Sequence, residues 1–187
     1  ARAVREAGKP AAELIIQEHG GSLSAAVAGA RMALDLAQQA SMPRRVECEA
    51  SFIVLGTECG GSDACSGLSA NPVLGWVSDR IVEMGGTVLL AETTEIIGAE
   101  HILCKRARDK EVADALIQAV AKTERQALTS GLDLRGTQPT PGNIQGGIST
   151  IEEKSLGCIH KAGTSTLNQV IQYAATPSKR GLIVMDT

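Results

Sequence analysis

Apolar residues in this chain gather in short blocks separated by polar, glycine-rich stretches, and the blocks follow two periods. Compact runs predict strands: Leu14–Gln17, Ser51–Leu55, Thr87–Ala91 and Gly181–Met185. Longer stretches with apolar positions at helical spacing predict helices. These are Ala1–Ala7, a helix capped by Ser22 or Ser24 and reaching Gln39, Asn71–Met84, a helix from Thr93 or Thr94 to Arg106, Lys110–Thr129, Glu153–Cys158, and a last one from Ser165 to Tyr173. Asn71-Pro72 reads as a helix start, with Asn as cap and Pro at the first helical position, where its missing N–H costs nothing. Ser149–Glu152 has capping-box spacing. Leu132–Ile148, rich in Gly, Pro, Gln and Asn, reads mostly as loop. Strands separated by helices predict an α/β fold: three layers, a mostly parallel sheet, helices on both faces, Rossmann-like. Residues 1–187 are read as a single domain, which their number suits.

In a parallel sheet the carboxyl ends of the strands share one rim, and ligands bind there. The polar loops after Leu55, Ala91 and Met185 are therefore expected side by side. The first is the richest. Thr57 to Pro72 joins a strand to a helix and carries Gly60, Gly61, Gly67, Ser62, Ser66, Asp63, Cys59 and Cys65. Glycines let a backbone approach a ligand closely, and a helix N-terminus beyond them favours an anion such as a carboxylate. No Gly-Lys-Ser/Thr follows, so this is not a Walker loop, and the spacing is not that of a dinucleotide fingerprint. Cys59 and Cys65 are too few for an iron–sulfur cluster.

Two further groups have chemical potential. Glu92, Glu95, Glu100 and His101 follow the third predicted strand, where carboxylates and an imidazole can bind a divalent metal or move protons. Asn143, Lys154, Ser155, Lys161 and Thr164 supply amide, cation and hydroxyl groups suited to a carboxylate-bearing substrate.

Composition narrows the classes. The aromatic fraction is 2%, so the core must be aliphatic. The net charge is −3, with no basic tract, which together with the scarcity of stacking residues argues against nucleic-acid binding. No apolar run is long enough to span a bilayer. Five cysteines at irregular spacing do not form a disulfide framework; as free thiols they suit a reducing compartment, the cytoplasm.

Taken together, Cys59–Asp63, Ser66–Pro72, Gly85-Gly86-Thr87, Glu92–His101, Pro141-Gly142-Asn143, Glu153–Gly157 and Lys161–Thr164 resemble the altronate dehydratase and galactarate dehydratase family, in the right order and over nearly the whole chain. The resemblance implies a metal-dependent hydro-lyase that removes water from a sugar acid to give a 3-deoxy-2-keto acid, commonly with iron(II). It also implies a longer dehydratase of which this chain is a fragment, with a small N-terminal β domain, or a partner subunit carrying it, and further sequence after Met-Asp-Thr. A homo-oligomer is compatible with this reading. The alternatives are a sulfolactate sulfo-lyase subunit and a non-catalytic sugar-acid binding module. On this reading Lys154, His101 and Asp63 are the catalytic candidates. Gly60, Gly61, Ser62, Ser66, Asn71, Asn143, Ser155, Lys161 and Thr164 contact substrate, and Cys59, Glu92 and Glu95 hold the metal, with His101 beside it.

Overall fold

A computed structural model describes residues 2–187. The chain packs as two compact units, Ala1–Glu47 and Cys48–Thr187, where length suggests one domain. The first unit contains α1 (Arg2–Glu6), one 3-10 turn (Ile16–His19) and α2 (Ser22–Ser41), and Ala25 is its only buried residue among those described.

The second unit holds the sheet. Its strands are β1 (Val54–Thr57), β2 (Thr87–Leu90), β3 (Leu167–Ile171) and β4 (Gly181–Met185), all parallel, in the order β1-β2-β4-β3. The helices are α3 (Ala70–Glu83), α4 (Glu100–Cys104), α5 (Lys110–Thr129), α6 (Leu134–Thr137), α7 (Pro141–Gln145) and α8 (Ile151–Cys158). Helix α3 packs on β2 and β4, and α5 packs on β3. This is the three-layer α/β fold expected from alternating strands and helices. The central strands are the most buried, as parallel sheets require. Val88, Leu90, Leu182 and Val184 form the core with Ile96, Ile97, Leu103, Leu116 and Ile151. β1 lies at an edge, with Val54 61% exposed. No described helix is long and apolar enough to cross a membrane, and all five cysteines are free thiols.

Several elements differ from those the local pattern predicts. Leu14–Gln17 forms no strand: Ile15 and Ile16 are each 51% exposed, and its unit offers no sheet to pair with. The helix expected after Ser165 is strand β3, because pairing with β4 outweighs local preference. The helix expected from Thr93 to Arg106 is broken at Gly98, whose φ of 87° is left-handed. What remains is a 3-10 turn, Thr93–Glu95, followed by α4. The loop Leu132–Ile148 contains α6 and α7, the latter opened by a Thr140–Asn143 capping box. Asn71 caps nothing: α3 starts at Ala70, and the Asn71 side-chain Nδ2 donates instead to the Gly157 carbonyl at 3.0 Å. Thr150, not Ser149, caps α8.

Candidate active site

The loop after β1 owes its shape to its own polar side chains. Asp63 Oδ1 accepts from the amides of Cys65 and Ser66, each at 2.8 Å, and from Ser66 Oγ at 3.1 Å. Asn143 joins this loop to α7. Its Oδ1 accepts from the Thr140 amide and hydroxyl, and its Nδ2 donates to the Ser62 carbonyl at 2.9 Å. The loop also abuts α8 closely, since a Cβ on Gly67 would lie 2.8 Å from the Gly157 Cα. The side chains of Asp63, Ser66, Asn71 and Asn143 are thus engaged in building the loop, Asn71 and Asn143 buried and Asp63 exposed.

That construction sets Cys59 over the end of β2. The Cys59 amide donates to Glu92 Oε2 at 2.8 Å. Cys59 Sγ lies 3.3 Å from Ser62 Oγ, which is itself 3.8 Å from Cys158 Sγ. One ligand atom from each of Cys59, Glu92 and Glu95 falls within 4.8 Å of the others. These three come from the loops after β1 and β2, so the shared rim expected of a parallel sheet does gather them.

Glu95 is the hub. It is 4% exposed, in the 3-10 turn after β2. Its Oε2 accepts from Lys161 Nζ at 2.7 Å, while Lys154 Nζ stands 3.7 Å from Oε1. Oε1 itself is buried without a hydrogen-bond partner. Burial pushes the Glu95 carboxyl up, but hydrogen bonds from Cys59 and Lys161, and the Lys161 charge, outweigh it and leave the group below its ordinary value. Glu92 goes the other way, raised by burial and then by the neighbouring Glu95 charge. Burial, and then hydrogen bonding to Glu95, raise the Cys59 thiol; burial, followed by the Glu95 charge, pushes the Cys158 thiol up to about 12. Lys161, 4% exposed, is held above its usual value because its hydrogen bond and charge interaction with Glu95 exceed the opposing effect of burial. Removing one partner of so buried a pair costs about 3–5 kcal/mol, since the other charge is left uncompensated.

The candidates divide accordingly. Cys59, Glu92, Glu95, Lys154, Lys161 and Ser62 come together. Lys161 meets Glu95 rather than open solvent. His101 is exposed on α4 and lies outside the group formed by Cys59, Glu92 and Glu95. Ser155 is fully buried on α8 with its Oγ unpartnered. Thr164 is held by Asp79, to which it donates from both amide and hydroxyl. Gly60 and Gly61 are exposed beside Cys59. A cavity of about 40 Å³ runs between Ser62, Asp63, Asn71, Lys154 and Cys158, with room for water but not for a sugar acid.

Sequence reasoning missed Cys158, Lys122, Asp186 and Thr187. Cys158 ends a helix and looks like an ordinary buried thiol. The polar pair after β4 carried a usable signal, its position on the same rim.

A parallel α/β unit carries a thiol and two carboxylates in the loops after β1 and β2, with two lysines brought to them from α8 and from the turn before β3, a set of groups that could hold a cation. The chain belongs to the D-galactarate/altronate dehydratase family, whose C-terminal profile matches residues 50–187. It is 41% identical over 150 residues to the galactarate dehydratase (L-threo-forming) of Escherichia coli, covering 80% of this chain and 28% of that protein. It is 37% identical over 188 residues to the (2R)-sulfolactate sulfo-lyase subunit beta of Chromohalobacter salexigens, covering 98% of this chain and 48% of that one. With the altronate dehydratase of Bacillus subtilis the identity is 36% over 158 residues, covering 84% and 32%. The chain thus spans less than half the length of each of these relatives.

Proposed function

We propose that the protein containing this chain is a lyase that removes water from a sugar acid, an altronate- or galactarate-like polyhydroxy carboxylate, to give a 3-deoxy-2-keto acid, using a divalent metal held by Cys59, Glu92 and Glu95. The observation that carries the proposal is this thiol–dicarboxylate group, with one atom of each residue within 4.8 Å of the others. It fits a cation for two reasons. The buried Glu95 Oε1 lacks a hydrogen-bond partner, and Glu92 is already raised by burial and by the Glu95 charge. One sulfur and two carboxylate oxygens suit a borderline ion such as iron(II). When bound, such a metal supplies Lewis acidity to the substrate's carboxylate and C2 hydroxyl, making the C2 proton easier to remove.

The chain's own residues bind and move protons. Lys154 Nζ, 3.7 Å from Glu95 Oε1, is beyond a direct hydrogen bond and has donors free for the substrate carboxylate or for proton exchange at C2. Lys161 holds Glu95 charged and in place. The Gly60 and Gly61 amides, on exposed residues next to Cys59 and Ser62, would donate to developing negative charge on the substrate oxygens. The C3 hydroxyl, protonated by an acid, then leaves as water, and the resulting enol takes up a proton at C3 to become the 3-deoxy-2-keto acid.

A second reading is favoured by the 98% coverage of this chain in the match to the sulfo-lyase subunit: the group leaving C3 is sulfite, and the protein works with a further subunit. One screen separates the readings. Hexonates, hexarates and sulfolactate are offered to the whole protein with iron(II) added and metal content measured. Turnover of a hexonate or hexarate is expected, with Lys154→Met lowering kcat/KM by about 10²–10⁴-fold. Turnover of sulfolactate alone selects the second reading. Binding without turnover of any acid would make the protein a sugar-acid binding module.

A further inference from the structure

Glu92 has a backbone φ of 68° and ψ of 79°, a left-handed conformation shared by one other non-glycine among the described residues, Ala174. For a residue with a Cβ this costs roughly 1–2 kcal/mol, and it persists only where surrounding contacts impose it. Nothing in the local Ala91-Glu92-Thr93 sequence asks for it. The Glu92 backbone is held by the residues after β4. The Glu92 amide donates to Thr187 Oγ1 at 2.8 Å. The Thr187 amide donates to Thr93 Oγ1 at 3.2 Å, and the Thr93 hydroxyl donates to Asp186 Oδ1 at 2.9 Å. Asp186, 4% exposed, is fixed in turn by Lys122 Nζ at 2.6 Å on Oδ2 and by its own amide, which donates to the Ile171 carbonyl at 2.8 Å. The strap therefore reaches from α5 and β3, through Asp186 and Thr187, to the backbone of Glu92.

We infer that Asp186 and Thr187 are positioning residues for the Cys59–Glu92–Glu95 group. They hold Glu92 in the left-handed conformation in which its carboxylate accepts from the Cys59 amide. An ordinary right-handed or extended residue at the end of β2 would send the side chain elsewhere and remove one carboxylate from the group. The consequence for metal affinity rests on the metal reading above; the consequence for the Cys59 amide does not.

The test uses Thr187→Val, which keeps the shape and removes the hydroxyl, and Thr187→Ser, which keeps the hydroxyl. Amide hydrogen exchange is followed at Cys59 and Glu92, with Val88 and Leu90 of β2 as controls for the fold. Cobalt(II) affinity is measured in parallel. Thr187→Val is expected to speed exchange at Cys59 and Glu92 at least about tenfold with β2 unchanged. Cobalt affinity is expected to fall about 10–100-fold, as for other groups that orient a metal ligand. Thr187→Ser is expected to restore both. Unchanged Cys59 exchange in Thr187→Val overturns the inference, and so does faster exchange with wild-type cobalt affinity. A wild-type protein that takes up no cobalt, yet shows the exchange pattern and its rescue, sinks the metal reading while supporting the strap.

Discussion

Asp79 shows how one residue can decide the course of the chain near the site. From α3 it accepts from the Thr164 amide and hydroxyl and from the Ser165 amide and hydroxyl, and so fixes the segment between Lys161 and β3. Burial raises its carboxyl, but these donors, led by the Ser165 hydroxyl, outweigh burial and leave it below the usual carboxylate range. A carboxyl lowered by folding contributes stability above its unfolded value, about 4, and that contribution is lost as pH falls through the folded value. Asp79→Asn should therefore lose about 1–3 kcal/mol at neutral pH, read from urea midpoints. The gap from wild type should close as the pH is taken below that unfolded value; a gap that stays constant would show that charge is not the cause. In the sequence, Thr164 looks like a substrate hydroxyl, because no local rule says that an aspartate 85 positions earlier has claimed it.

At the level of elements, α3 and the turn carrying Lys161 are built against each other with no space between them. Ser78 Oγ donates to the Lys161 carbonyl at 2.7 Å, and a Cβ on Gly75 would run into the His160 carbonyl oxygen. Gly75→Ala sets two effects in opposition. Alanine gains about 1 kcal/mol of helix propensity. Overpacking costs about 1–3 kcal/mol, and here the obstacle is backbone that cannot rotate aside. The clash should win, lowering Tm and loosening the Lys161–Glu95 pair; an unchanged or raised Tm would show that the turn yields. The start of α3 was legible to within two residues from Asn71-Pro72, and α5 was legible end to end. Strand β3 was not, because Leu167–Ile171 mixes Asn168 and Gln169 with three apolar residues and becomes a strand only when a neighbour supplies its hydrogen bonds.

For the whole molecule, the division at Glu47 bears on how the chain can be handled. Residues 42–49 are exposed and belong to no helix or strand, and Arg44 and Arg45 lie among them. Brief trypsin treatment should cut there first, leaving a product that carries the sheet and still unfolds cooperatively. First cleavage inside Cys48–Thr187 would contradict the division.

Local pattern by itself determined the α/β class, the strands β2 and β4, part of β1, whose expected run Ser51–Leu55 opens as a 3-10 turn over Ala50–Phe52, and the shared rim of polar loops. Period, caps and strand–loop alternation are short-range properties, and a parallel sheet turns them into a shared edge. The tertiary structure alone decided who meets whom. It gave Lys161 to Glu95, Asn143 to the Ser62 carbonyl and Thr164 to Asp79, left His101 exposed, and brought Thr187 to Glu92 from 95 positions away and Asp186 to Thr93 from 93. Those pairings depend on packing between distant segments, where a buried donor must find whichever acceptor the fold sets beside it.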